Sequence, residues 1–148
     1  MTTKPGTLGR LVGGSMAVAA IAMLAIFGLT HTSDAGGATC RGQVATIVGT
    51  EGRDVIDAGP GRDVIAARGG NDDIDAGAGR DLVCGGAGAE EIDGDADADR
   101  LFGQAGNDEI DGQTGNDLLN GGPGFDDLDG ELGTDTCVNG ENVDDCEN

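Results

Sequence analysis

The sequence predicts an all-β fold: a parallel β-roll (a β-helix solenoid) of ten nonapeptide repeats with a short cap at each end. Three observations carry this. Residues 49–138 keep a period of nine without insertion or deletion, and a fixed period held this long marks a solenoid. Each repeat has the same internal order: Gly or Ala first, Gly fourth in every copy but the one with Asp97, an acid sixth, an apolar residue eighth. Composition closes the other routes. With 30 glycines, three Phe and no Trp or Tyr, the chain cannot build a conventional core.

The clearest copies, Gly103–Asp111 (GQAGNDEID), Gly112–Asn120 (GQTGNDLLN) and Gly121–Asp129 (GGPGFDDLD), show how each element arises. The Gly-rich first half turns, because Gly takes positive φ at no steric cost. The last three residues form a short strand with one inward side chain, since side chains alternate faces. That inward residue is Ile56, Ile65, Ile74, Val83, Ile92, Leu101, Ile110, Leu119, Leu128 or Cys137. Two repeats make a coil of 18 residues, and coils stack about 4.8 Å apart. The sixth residues therefore fall into two columns. One turn edge carries Asp54, Asp72, Glu90, Asp108 and Asp126; the other carries Asp63, Asp81, Asp99, Asp117 and Asp135.

Two bare carboxylates about 5 Å apart repel by roughly 1 kcal/mol in water and about 3 kcal/mol at an effective dielectric of 20. Backbone carbonyls of neighbouring turns ring each one. Carboxylates with carbonyls suit a hard cation such as Ca²⁺, held by about six to eight oxygens. Five acids per edge leave four gaps, so the ceiling is eight ions. One aliphatic per nine residues buries too little to offset the entropy of ordering the array. The array is expected to be disordered without metal and folded with it. A cation-free solenoid or a disordered acidic linker is the competing reading.

The repeat resembles the G-G-x-G-x-D-x-U-x unit of the RTX (hemolysin-type) calcium-binding proteins. The run Cys40–Ile56 (CRGQVATIVGTEGRDVI) resembles the start of their secreted actinobacterial members. The resemblance implies a calcium-stabilised β-roll whose sixth-position acids are the ligands. Four Cys in an exported chain suggest disulfides, and four allow three pairings. Similar proteins favour Cys137–Cys146 as a C-terminal clip and Cys40–Cys84 as an N-terminal clip. The second pairing meets an obstacle. Strict register puts these residues two coils apart, about 10 Å, beyond the reach of a disulfide. It forms only if residues 40–43 leave the register and run up the even-repeat face.

The flanks are short. Residues 1–35 read as an export signal: Lys4 and Arg10, the apolar run Leu11–Leu29, then small residues, with cleavage after Ala35 or Ala38. The run is long for a signal, so an uncleaved N-terminal anchor at the cell surface is the alternative, and only then is the membrane a partner. His31 reads as a spacer beside the cut. Residues 40–48 are a degenerate repeat with Ile47 on the eighth position and Ala45 on the acid position. An apolar strand without a ligand suits an N-terminal cap. Residues 139–148 form the C-terminal cap.

The outward positions seven and nine differ between odd and even repeats. Odd repeats carry Val55/Asp57, Asp73/Asp75, Glu91/Asp93, Glu109/Asp111 and Asp127/Asp129, an acidic face. Even repeats carry Val64/Ala66, Leu82/Cys84, Arg100/Phe102, Leu118/Asn120 and Thr136/Val138, a largely apolar one. Three readings of that strip stand open: incidental neutral residues, a protein or cell-envelope contact, or cover by the protein's own N-terminal segment. Glu90, one methylene longer than Asp, is expected to make the gaps it shares with Asp72 and Asp108 weaker or differently coordinated. Asp97 is expected to take the left-handed conformation of the Gly it replaces.

A net charge of −20, from 28 acids against 8 bases, argues against nucleic acid, whose phosphates need a basic surface. No H-E-x-x-H or G-x-S-x-G motif occurs, and Ser15 and Ser33, the only serines, precede the cut. The chain is therefore not expected to be an enzyme. The sequence favours a secreted calcium-binding protein that couples binding to folding. The alternative is a structural or adhesive envelope protein, in which calcium stiffens a rod and the even face binds a partner.

Overall fold

The structure, a computed structural model, describes residues 37–147. The expected signal or anchor at residues 1–35, with His31, lies outside the described residues. Among the described residues there is no helix, and so none long and apolar enough to cross a membrane.

The strands follow the repeat. They are β1 (Thr39–Cys40), β2 (Gln43–Val44), β3 (Ile47–Val48), β4 (Val55–Asp57), β5 (Val64–Gly69), β6 (Asp73–Asp75), β7 (Leu82–Gly88) and β8 (Glu91–Asp93). There follow β9 (Arg100–Gly106), β10 (Glu109–Asp111), β11 (Thr114–Gly115), β12 (Leu118–Asn120), β13 (Asp127–Asp129), β14 (Leu132–Gly133), β15 (Thr136–Val138) and β16 (Asn142–Asp144). The odd-repeat strands form one six-stranded sheet, ordered β16-β13-β10-β8-β6-β4. The even-repeat strands form the other, β15-β12-β9-β7-β5-β3. Both are parallel throughout. Two short pairs complete the topology: β1-β2, antiparallel, and β11-β14, parallel.

Register stacks like on like. Ile56 pairs with Ile74, Ile74 with Ile92, Ile92 with Ile110, and Ile110 with Leu128. Opposite them, Ile47 pairs with Ile65, then Val83, Leu101, Leu119 and Cys137 follow. These two columns face each other as one buried core, with Ala67 and Ala76 between them. One large side chain per strand fills the space between the sheets. Substitution of any one leaves a void with few neighbours able to close it.

The turns explain the glycine pattern. The second residue of most repeats is left-handed even where it is not Gly: Arg68, Asp95, Gln104, Gln113 and Glu131 all have φ between 55° and 83°. The fourth has positive φ in most copies too and is also held to Gly by close approach. A Cβ on Gly88 or Gly106 would strike the carbonyl of Gly70 or Gly88 in the coil below. Asp97 fits at this position with φ of 78°, as expected of a residue that tolerates the left-handed region.

The N-terminal segment leaves the register. Ile47 keeps the eighth position, but Thr39–Val44 fold into the antiparallel pair β1-β2. This hairpin lies on the even face, where Cys40, Val64, Leu82, Cys84 and Phe102 form a second buried cluster flanked by Ala45 and Leu118. The Arg41 guanidinium stacks 4.6 Å from the centre of the Phe102 ring. The N-terminal part of the apolar strip is thus covered by the chain itself, and Val64 and Leu82 point outward from the roll but are buried under the hairpin. With the hairpin there, Cys40 meets Cys84 at a Cα separation of 5.6 Å, and the disulfide is formed. Cys137 and Cys146 are also joined, at 5.8 Å.

Candidate metal centres

All ten sixth-position acids stand where the repeat predicts, at the turn preceding each strand, in two columns of five. Nine are buried, and Asp63 is partly so. What turns them inward is a bond between coils. The N–H of one sixth residue donates to Oδ1 of the sixth residue one coil on. Asp54 donates to Asp72, Asp63 to Asp81, Asp81 to Asp99, Glu90 to Asp108, Asp99 to Asp117, Asp108 to Asp126 and Asp117 to Asp135, at 2.6–3.1 Å.

That bond uses one oxygen and strands the other. Oδ2 of Asp72, Asp81, Asp99, Asp108, Asp117, Asp126 and Asp135 is buried without any hydrogen-bond partner. A buried, unpaired carboxylate oxygen is strongly unfavourable. The stranded oxygens also converge on backbone. A Cβ built on Gly112 would lie 2.9 Å from Asp117 Oδ2 and 3.1 Å from the Gly130 carbonyl of the next coil. One on Gly94 would lie 3.2 Å from Asp99 Oδ2 and 2.9 Å from the Gly112 carbonyl. The missing methyl is the cradle: each gap offers a carboxylate oxygen and a carbonyl oxygen aimed at the same small space.

Among the described residues, no three His, Cys, Asp or Glu side chains cluster as a closed side-chain cage. The acids arrive one per coil, and carbonyls make up the remainder. This donor set is all oxygen, anionic and spread over flexible turns, which fits a hard divalent cation rather than zinc. The residues present fit calcium.

Burial acts on the carboxylates in the way a cation would reverse. Asp99 is pushed up to about 7, first by burial and then by the charges of Asp81, Asp117 and Asp97, against the lowering hydrogen bond from Asp81. Asp72, Asp81, Asp108 and Asp117 are raised, with burial the largest cause in each. Glu90 departs furthest, to about 8, through burial and the adjacent Asp108 carboxylate. Its longer side chain does not accept the coil-to-coil bond, and both its oxygens are buried without partners. The gap between Asp72 and Glu90 is therefore built differently from the rest.

Four residues at the ends of the columns lie outside the sixth-position pattern. The Thr46 hydroxyl donates to Asp63 Oδ1 at 3.0 Å. Thr50 donates to Asp54 Oδ2 from its N–H at 2.6 Å and from its hydroxyl at 3.1 Å. At the other end, Asp126 N–H donates to Glu141 Oε2 at 2.8 Å and Asp135 N–H to Glu147 Oε2 at 2.7 Å. The order Glu141-Asn142-Val143-Asp144 repeats the acid-x-aliphatic-x signal, but its turn is three residues short. Leu128 pairs with Val143, fifteen residues on, where Ile110 pairs with Leu128, eighteen on. The change of spacing hides Glu141 from a nine-residue frame.

A parallel two-sheet roll with unsatisfied carboxylate oxygens on eight of its ten sixth-position acids defines a metal-binding repeat solenoid. The family model described as RTX calcium-binding nonapeptide repeat (4 copies) matches residues 48–83, 85–119 and 111–145. These spans take in more than half of the chain, and the protein belongs to that family. RTX repeats bind calcium in a β-roll. No curated protein matches the chain.

Proposed function

We propose that the protein is a secreted calcium-binding protein in which Asp54, Asp63, Asp72, Asp81, Glu90, Asp99, Asp108, Asp117, Asp126 and Asp135 hold Ca²⁺ between successive coils, and in which binding drives folding. The observation that carries this reading is the row of buried, partnerless oxygens on eight of these acids, all but Asp54 and Asp63. Each needs a positive charge that no described side chain brings to it. Calcium, when bound, supplies that charge and cross-links neighbouring coils. The chain's part is to aim one carboxylate oxygen and the turn carbonyls into each gap. In this reading residues 1–35 are a signal, 40–48 and 139–148 are caps, and 49–138 are the binding array.

Secretion is supported by the leader-like composition of residues 1–35, by the two disulfides, which persist outside the cytoplasm, and by the habit of RTX repeat proteins. The envelope-adhesin alternative relied on an open apolar even face. The hairpin covers most of it, leaving Leu118, Asn120 and Val138 at its C-terminal end.

The test is circular dichroism of the purified, disulfide-intact chain during a Ca²⁺ titration from excess chelator, with Mg²⁺ as control. A coil-to-β transition specific to Ca²⁺ is expected. A full β spectrum already present in chelator would overturn the coupling of binding to folding.

A further inference from the structure

We infer that the C-terminal cap holds two cation sites of its own, one built by Glu141 with Asp126 and one by Glu147 with Asp135. This rests on the calcium reading of the inner gaps and raises the ceiling from eight ions to ten.

Each column of acids has one more member than the repeat provides. In the inner coils the sixth residue's N–H is offered to a carboxylate one coil on, except at Asp72, whose neighbour Glu90 does not accept it. At the last coil the acceptors are Glu141 Oε2 and Glu147 Oε2. The columns therefore read Asp54, Asp72, Glu90, Asp108, Asp126, Glu141 and Asp63, Asp81, Asp99, Asp117, Asp135, Glu147. The cap reproduces the rung with a side chain that reaches one methylene further. Shortened turns bring its backbone close enough for that reach: Asp126 O accepts from Glu141 N–H at 3.0 Å and Asp135 O from Glu147 N–H at 2.8 Å.

A rung alone is not a site, and the second observation is independent of it. Asp126 is 1% exposed and Asp135 fully buried, and Oδ2 of each has no partner. These oxygens point toward the cap, into the same cradle found in the inner gaps. A Cβ on Gly121 would meet both Asp126 Oδ2 and the carbonyl of Asn139, the latter at 2.6 Å. One on Gly130 would meet Asp135 Oδ2 at 2.9 Å and the carbonyl of Asp145 at 2.5 Å. The cap thus supplies a carboxylate, a carbonyl and an orphaned buried oxygen at each edge.

Glu141 and Glu147 are themselves exposed. Water competes there, and like charges in the inner gaps are shielded from it. The cap sites are therefore the weakest of the series and fill last. The Cys137–Cys146 bridge holds Glu147 beside its column, so oxidation of that pair presets the even-edge site.

Native mass spectrometry of the full, oxidised chain at saturating Ca²⁺ counts the ions bound. Glu141→Gln and Glu147→Gln keep an oxygen that accepts the backbone N–H but remove the charge. Each is expected to lose one ion, and the double variant two. An unchanged count in the double variant overturns the inference while leaving the inner sites standing. A wild-type chain that binds no ions overturns the calcium reading as a whole. If the double variant does not fold, crystals of the wild type grown with Tb³⁺ decide the matter. Anomalous peaks between Asp126 and Glu141 and between Asp135 and Glu147 support the sites; peaks confined to the inner gaps overturn them.

Discussion

The two ends of the roll stop the same stack by opposite chemistry. At the N-terminal end the last carboxylates meet donors: Thr46 and Thr50 hydroxyls and a backbone N–H satisfy Asp63 and Asp54. A hairpin, a disulfide and a stacked Arg41 seal the face beside them. At the C-terminal end the stack stops on two further acceptors, Glu141 and Glu147. One end is closed by neutral protein groups and hydrophobic cover; the other adds negative charge to negative charge. The N-terminal end meets part of its carboxylate demand with protein donors, and the C-terminal end leaves Asp126 and Asp135 Oδ2 unpaired.

The sharpest way to break this contrast is to compare one acid from each region. Asp117→Asn removes charge from two inner gaps at once, and is expected to raise the Ca²⁺ concentration at half-folding by more than tenfold, on the order of 1.4 kcal/mol or more. Asp54→Asn, at the donor-closed end, is expected to raise it by under threefold. Equal shifts in the two calcium titrations would mean that the ends do not differ.

The disulfides act on stability rather than on the calcium midpoint. In the chain-entropy model, loss of Cys40–Cys84, with a sequence separation of 44, removes about 4 kcal/mol of stability, and loss of Cys137–Cys146, with a separation of 9, about 3 kcal/mol. Paired Cys→Ser variants, melted in saturating Ca²⁺, test the ranking. Hydrogen exchange in saturating Ca²⁺ separates them further: only the Cys40/Cys84 variant is expected to lose protection over β3 and β5.

The smallest expected effect is that of pH. Glu90 and Asp99 have raised pKa values in the metal-free roll, about 8 and about 7. The folded form therefore holds protons that the unfolded chain releases near pH 4. Their contribution is fully present below about pH 4 and is lost as pH rises toward 7 and 8. Residual β signal in chelator should grow on acidification from pH 8 to pH 5. Saturating Ca²⁺ should remove or reverse that dependence, because protons and cations compete for the same oxygens. A residual signal in chelator that does not change with pH would sink this account.

Much of this was legible in the sequence. A period of nine with an acid at six and an aliphatic at eight leaves little freedom, so the strands, the parallel register and both acid columns follow from the frame. The Cys40–Cys84 pairing was implied by the resemblance; the frame itself spoke against it unless residues 40–43 left the register, and they do. What escaped did so where the frame breaks. Glu141 and Glu147 sit on shortened turns, and Thr46 acts through a hydroxyl one position after the missing acid. The even face stood between three readings because the alternation of side chains says which way Leu82 points, not what lies over it. A two-residue strand such as β1 carries no period from which cover could be read.

The pairing of acids with acids and aliphatics with aliphatics has a consequence for how such a chain can change length. A coil is two repeats, so lengths may vary only in steps of eighteen. A gain or loss of eighteen residues restores every rung. A gain or loss of nine also restores the acids and the core, yet exchanges the two faces beyond the breakpoint. Glu109 and Asp127 would then enter the column now held by Leu82 and Arg100, beside the apolar hairpin cluster. The nine-residue unit is the grammar of the sequence, but the molecule can be edited only in pairs.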